Sequence, residues 1–325
     1  MSRAILALVV LLSSLTPAAA ERIQPMLIGT GAVTGIYFPA AGAVQRLINE
    51  ANTPFRLAVQ STAGSLANLK ALASGDLDMA IAQSDWAYFA SKGGNEQFPT
   101  GNTDLRVLLG LHSEVLTIVA RKDANIASLN DLKGKKVNVG PAASGTRNLM
   151  DLLFKSLSWS MADMGTLMDL EPGAQSAALC SGQVDAIVFI VPHPNAAVQE
   201  ALSRCASTIV PVTGPAVSSL IAGSPFYSAT SIPAKLYAEA PQEVPTFGVR
   251  ALLLTTSRMT DGAATAIMQT VFNNVDKLNA IHPALAKLTK NDLLADKLGI
   301  PLHAGAETYL KSEGLVNGTV AKPAQ

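Results

Sequence analysis

Two rhythms of apolar residues alternate along this chain. In "SLANLKALASG" Leu66, Leu69 and Leu72 share one helical face, with polar positions between them. Ser65 suits the N-cap of that helix and Gly75 a left-handed stop. "LDMAIAQS" then changes to a short apolar run with a turn-forming Asp near its start, which predicts a strand. The same change occurs upstream. A strand "MLIGTG" leads through a glycine-rich loop into the helix "PAAGAVQRLINE", which opens on Pro39 and carries Val44, Leu47 and Ile48 on one face. The strand "RLAVQST" follows it.

The phrase "ALASGDLDMAI" (71–81) recurs as "ALCSGQVDAIV" (178–188), with Asp78 and Asp185 in register. The second copy is preceded by a strand "KKVNVGP", the loop "AASG" and a helix "TRNLMDLLFKSL". Strands alternating with helices, and strands apolar enough to be buried on both faces, predict α/β architecture with parallel sheets. A phrase repeated from 71 to 178 is spaced too widely for a solenoid and fits two similar α/β lobes. Asp78 and Asp185 read as turn residues at strand entry rather than as a catalytic pair.

The two copies differ at their far ends. The first closes with Gln83, Ser84 and Asp85 in "QSDWAY"; the second closes with Phe189, His193 and Asn195 in "FIVPHPNA". Ligands of open α/β sheets bind beyond the carboxyl ends of the strands, so these ends are candidate site residues.

Composition narrows the function classes. The chain has 325 residues, 49% hydrophobic and 15% charged, with 24 basic and 24 acidic groups. No Lys/Arg cluster suits nucleic acid. "MSRAILALVVLLSSLTPAAA" has a basic start, a short apolar core and a small-residue site, so residues 1–20 are expected to be a cleaved secretory signal peptide. The mature chain is then expected in the periplasm. In that compartment Cys180 and Cys205 are expected to form a disulfide, with two buried free thiols as the alternative.

Three loops carry chemistry suited to a carboxylate. "TGAVTGIY" offers close backbone approach at Gly31 and Gly35 and hydrogen-bond donors at Thr34 and Tyr37, without the spacing of a dinucleotide fingerprint. "STAGS" offers Ser61, Thr62 and Ser65, where plain helix capping is the competing role. "SGTR" places Ser144, Gly145, Thr146 and Arg147 at a helix start, where the dipole favours an anion. Arg147 either clamps a carboxylate or pairs with an acidic neighbour at the surface, and His193 either contacts ligand or caps the next helix. The histidines 112, 193, 282 and 303 have no metal-ligand spacing, and there is no G-x-S-x-G elbow; no cofactor, no metal and no catalytic set is expected.

"IGTGAVTGIYFPAAGAVQRLIN", "VQSTAGSLANLKALASGDLDMAIAQSDWAYFA", "IASLNDLKGKKVNVGPAASGTR" and "GIPLHAGAETYLKSEGL" resemble the signature blocks of the TAXI family, over about Leu27 to Leu315. These are the extracytoplasmic solute receptors of TRAP (tripartite ATP-independent periplasmic) transporters. The resemblance implies a type II periplasmic-binding-protein fold, with a central ligand cleft between two α/β lobes. It also implies a ligand such as glutamate, glutamine or a 2-oxo dicarboxylate, and TRAP membrane permease subunits as partners. With the crossing strands placed at "EVLTIVARK" (114–122) and "VRALLLTTS" (249–257), lobe one is expected to be 21–118 plus 252–325 and lobe two 119–251. The carboxylate is expected at Ser144–Arg147, with Thr34, Tyr37 and Gln83 reading its other end. A monomer without a nucleic-acid partner is expected. An ABC-type or sensor-linked receptor of the same fold is the alternative, and a periplasmic enzyme a weaker one.

Overall fold

The computed structural model describes residues 24–142, 144–295 and 298–315; the expected signal peptide lies outside them. The first half of the chain runs β1 (Gln24–Gly29), α1 (Tyr37–Glu50), β2 (Phe55–Gln60), α2 (Ser65–Ser74), β3 (Met79–Gln83) and α3 (Ser84–Lys92). The long strand β4 (Leu105–Arg121) then crosses to a second α/β layer. That layer contains β5 (Lys136–Asn138), α4 (Gly145–Ser156), β6 (Thr166–Met168), α5 (Pro172–Cys180), β7 (Ala186–Val191), α6 (Ala196–Arg204), β8 (Ser207–Val210), α7 (Pro215–Ala222) and β9 (Ser228–Ile232). β10 (Val244–Thr256) returns the chain to the first layer, which α8 (Asp261–Phe272), α9 (Val275–Asn279) and α10 (Ala304–Ser312) complete.

The strands follow the order β2-β1-β3-β10-β4-β7-β5-β6, with β8 added to β4 and β9 to β10. β1 pairs parallel with β2 and β3, and β5 parallel with β6 and β7. β4 and β10 run antiparallel to each other and belong to both layers. β4 begins at Leu105, ahead of the expected Glu114, and this length lets one strand serve two cores. Leu108, Leu109 and Leu111 pack with α1, α8 and α10, while Leu116, Ile118 and Ala120 pack with α4 and Phe226. All ten strands form one sheet, and in each lobe a second core lies on its other face. The architecture is therefore two α/β lobes joined by crossing strands.

The repeated phrase builds the same joint twice. Gly75 ends α2 at φ 88°, and Gly182 follows α5 at φ 76°, a conformation that costs little without a Cβ. Asp78 accepts a hydrogen bond from the Leu27 amide at 2.7 Å, and Asp185 accepts one from the Lys136 amide at 2.9 Å. Each carboxylate thus ties strand entry to the neighbouring parallel strand. This is the structural role that the sequence pattern favoured.

Cys180, at the end of α5, and Cys205, just after α6, are joined in a disulfide that closes a separation of 25 residues.

Candidate functional site

The parallel strands of the two lobes run in opposite directions in the sheet, so their carboxyl ends and the starts of the following helices face each other, as the contacts of Gly145 with Gln83 and of Asn148 with Asp85 show. Lobe one brings the β1–α1 loop, the first turns of α1 and α2, and Gln83 at the end of β3. Lobe two brings the first turn of α4. Between them passes the middle of β4, carrying His112 and Glu114, both almost fully buried.

Glu114 organises this junction. Gln83 Nε2 donates to its Oε2 at 2.6 Å, and His112 Nε2 lies 3.1 Å from its Oε1. The Tyr37 hydroxyl lies beside Ser65 and Glu114; burial first, and the Glu114 charge second, push its pKa well above the ordinary tyrosine value. Three buried atoms around the carboxylate make no well-formed hydrogen bond: Gln83 Oε1, His112 Nδ1 and the Tyr37 hydroxyl, whose polar neighbours are Ser65 and Glu114. Each such orphan costs on the order of 1–3 kcal/mol, and native proteins leave few. Three such atoms around one buried carboxylate make this junction the candidate ligand position.

A second buried carboxylate spans the two lobes. Asp85 Oδ1 accepts from the Trp86 amide at 2.7 Å, and Oδ2 accepts from Asn148 Nδ2 at 3.1 Å and from the Tyr227 hydroxyl at 3.2 Å. Burial raises its pKa to about 6 against the opposing pull of those donors. Alongside it, Ser84 Oγ accepts from the Arg250 amide at 3.1 Å and donates to the Phe226 carbonyl at 3.3 Å. Asn148, Phe226 and Tyr227 lie beyond the crossing in β4, so Ser84 and Asp85 hold the lobes together.

Gly145 completes the contact. A Cβ on this residue would collide with Oε1 and Cδ of Gln83 and approach its Nε2 to 2.8 Å. The absent side chain is what allows the start of α4 to rest on the Gln83 amide.

The hydroxyls of the "STAGS" stretch are committed to the backbone. Ser61 Oγ donates to the Gly31 carbonyl at 2.9 Å, and Thr62 Oγ1 lies 2.9 Å from the Thr30 carbonyl and 2.7 Å from Asn68 Oδ1. Ser65 does not cap α2; Gly64 holds that position. The Ser65 hydroxyl instead accepts from the Gln83 amide at 3.1 Å, fixing the end of β3. Thr34 and Gly35 lie exposed in the turn after buried Gly31, where the Gly35 amide donates to the Ala32 carbonyl at 2.9 Å.

At the start of α4, Ser144 Oγ accepts from the Arg147 amide at 3.1 Å and donates to the Pro141 carbonyl at 2.7 Å, an N-cap. The Arg147 guanidinium pairs with Asp151 one turn along the same helix at 3.0 Å, and Thr146 lies half-buried beside it. Phe189 is buried in the lobe-two core with Val119, Ile187 and Val198, behind the junction rather than in it.

His193 has both ring nitrogens in use. Tyr237 OH accepts from the Asn195 amide at 2.8 Å, which leaves its proton for His193 Nδ1 at 2.6 Å. His193 Nε2–H then points to Thr117 Oγ1 at 2.8 Å, and that hydroxyl donates to the Val115 carbonyl at 3.1 Å. The tautomer is assigned from this network. Burial lowers the His193 pKa to about 4, in keeping with a neutral ring. The cap of α6 is Asn195, which accepts from the Ala197 and Val198 amides.

Sequence reasoning missed Glu114, His112 and Asn68. Asn68 is fully buried, and its Nδ2 donates to the Thr30 and Ile81 carbonyls at 2.6 and 2.7 Å, pinning the ends of β1 and β3 together. The available signal for the first two was "LLGLHSEVL", in which two ionisable residues stand two apart inside an apolar strand and so share one face.

Among known proteins, the model of the NMT1-like family matches residues 28–314. A putative L-cystine ABC transporter from Listeria monocytogenes is similar in structure at 12% identity, covering 85% of this chain and 100% of its own, with a TM-score of 0.50. A protein from Xanthomonas citri, solved bound to chloride ion, aligns at 13% identity over 89% of this chain and 95% of its own, also with a TM-score of 0.50. The alkanesulfonate-binding protein SsuA from Xanthomonas axonopodis pv. citri, bound to MOPS, aligns at 19% identity over 88% and 83%, with a TM-score of 0.46. At these identities the likeness concerns the fold, which is that of the periplasmic binding proteins.

Proposed function

This chain belongs to the NMT1-like family, and on that premise we propose that it is an extracytoplasmic solute-binding receptor. It captures a small organic anion of the glutamate, glutamine or 2-oxo dicarboxylate type between its lobes and delivers it to a membrane permease. The carrying observation is the set of partnerless buried atoms on Tyr37, Gln83 and His112, collected where helix starts from both lobes meet. A site formed between two lobes and closed by their approach suits capture and release, and no reaction on the ligand is proposed.

The lobes in this reading are 21–118 plus 252–325 and 119–251, with residues 1–20 removed on export to the periplasm. The α4 start offers backbone N–H groups that a helix leaves without internal partners, and these take the ligand carboxylate at Ser144–Arg147. Arg147 joins them by exchanging Asp151 for the ligand. The resemblance of the signature blocks to TAXI receptors favours a TRAP permease as the membrane partner. The fold also serves ABC import, the system named for the Listeria protein, and an ABC permease is the second reading.

The test is mass spectrometry of small molecules released from protein purified from the periplasm, followed by calorimetry with each candidate. Small-angle scattering with saturating ligand should show a smaller radius of gyration. A protein that carries no small molecule and responds to none of the carboxylates would sink the receptor reading. Deleting a TRAP or an ABC permease and measuring uptake of the identified solute separates the two partners.

A further inference from the structure

We propose that Glu114 is the specificity residue of the cleft and that it selects a ligand bearing a primary ammonium group, so that the solute is an α-amino acid rather than its 2-oxo counterpart. The inference rests on the receptor reading above and narrows its ligand class.

Charge supplies the first part of the argument. Glu114 is 2% exposed, and among the described residues no Lys or Arg lies within ion-pair distance of it; only His112 does. Arg250, on the neighbouring strand, sends its guanidinium to the main-chain carbonyls of Leu111 and Asp292 instead. Asp85 adds negative potential from the α3 start. A deeply buried carboxylate without a fixed cation is unfavourable unless a cation arrives with the ligand.

Donor and acceptor counting supplies the second part. Gln83 must present its NH₂ to Glu114, so the free atom of that amide is Oε1, an acceptor only. His112 is assigned the neutral tautomer in which Nε2–H donates to Glu114 Oε1, and in that tautomer the free ring atom Nδ1 is also an acceptor. The Tyr37 hydroxyl completes the set and can accept. One carboxylate with these unsatisfied acceptors complements a group that carries three N–H donors and a positive charge. A 2-oxo group is itself an acceptor; only the Tyr37 hydroxyl could donate to it, and Gln83 Oε1 and His112 Nδ1 would stay unpaired.

Gly145 explains how the group is enclosed. The α4 start rests on the Gln83 amide and covers Oε1, so a bound ligand holds α4 off that atom, its ammonium lying against lobe one while its carboxylate meets α4. The two charges of a zwitterion are thus read by different lobes, and only closure engages both.

The probes are the proteinogenic L-amino acids, with the 2-oxo and N-acetyl derivatives of each, screened by thermal shift in chelator-containing buffer and titrated by calorimetry. At least one free amino acid should bind, about 30-fold or more tighter than its 2-oxo and N-acetyl forms. Glu114→Gln, which keeps the shape and removes the charge, should lose about 30-fold or more for the amino acid while leaving the 2-oxo acid unchanged. Should 2-oxo acids bind as tightly as amino acids, or Glu114→Gln keep the parent affinity, the inference is overturned and the receptor reading survives. Binding of none of these compounds overturns both. If Glu114→Gln fails to fold by circular dichroism, the comparison on the parent protein decides alone.

Discussion

Replacing Asp85 by Asn tests whether the clasp between the lobes is an ionised carboxylate held at a cost. The folded protein buries this group completely and raises its pKa from 3.8 to about 6, burial outweighing the donors Trp86, Tyr227 and Asn148. At neutral pH a shift of that size disfavours the folded state by on the order of 3 kcal/mol relative to the acid form. The sign follows from proton counts. Below about pH 4 the group is protonated in both states, so the folded state bears no charge penalty. Between about pH 4 and 6 the unfolded chain ionises first, so stability falls as pH rises; above that window the penalty is constant. In Asp85→Asn the amide oxygen can still accept from Tyr227 and Asn148, but its NH₂ faces the Trp86 amide, a fixed loss of about 1–3 kcal/mol at every pH. Denaturant unfolding of parent and variant at about pH 4 and 7 isolates the titration, because other carboxylates cancel in the difference. The variant should gain on the parent by on the order of 3 kcal/mol between those two values. An unchanged difference would mean that Asp85 ionises in the folded protein as it does in water, and the clasp would not be a buried one.

Three further outcomes follow from the same geometry. Replacing Cys180 and Cys205 together by Ala should lower stability by about 3 kcal/mol in denaturant titrations, since the bond closes a 25-residue separation; equal midpoints would show it to be energetically idle. Gly145→Ala drives a methyl into the Gln83 amide, an overpacking of about 1–3 kcal/mol against the closed form. Small-angle scattering should then report a larger radius of gyration than for the parent, and an identical profile would refute Gly145 as the closure contact. Asn68→Ala removes the side-chain contact to the Ile81 carbonyl and leaves the Thr30 carbonyl to the Thr62 hydroxyl, and should cost about 1–3 kcal/mol in denaturant unfolding, where a loss below about 0.5 kcal/mol would deny it a pinning role.

The fold could be read in the sequence because its joints are local. Leu66, Leu69, Leu72 and Gly75 describe a helix and its stop within one short window, and Asp78 needs only the neighbouring strand to do its work. The second copy repeats the arrangement with Gly182 and Asp185, and repetition turned a weak local signal into an architecture. The length of β4 was less legible. Its first residues, Leu105 to Ser113, are apolar enough to be strand, but nothing nearby shows that one strand passes through both cores.

The site was harder, because hydroxyls near a glycine loop look alike whether they serve backbone or ligand. Ser61, Thr62 and Ser65 have the chemistry of ligand contacts, yet their oxygens are 2.7–3.1 Å from protein partners that lie up to 32 residues away in the chain. Arg147 has an acidic neighbour one helical turn on, a pairing the sequence does contain. The opposite error hid Glu114. A carboxylate inside a hydrophobic strand was passed over in favour of residues in loops, although burial is what gives an ionisable group its leverage. The physical ranking is therefore the reverse of the intuitive one. An exposed donor in a flexible loop can be solvated at no cost and needs no ligand, whereas a charge that the fold buries beside partnerless acceptors has been stabilised by something. In this protein the proposed recognition centre therefore lies not in the loops at the rim but on the strand that joins the lobes, where Glu114 holds the Gln83 amide on which the start of α4 rests.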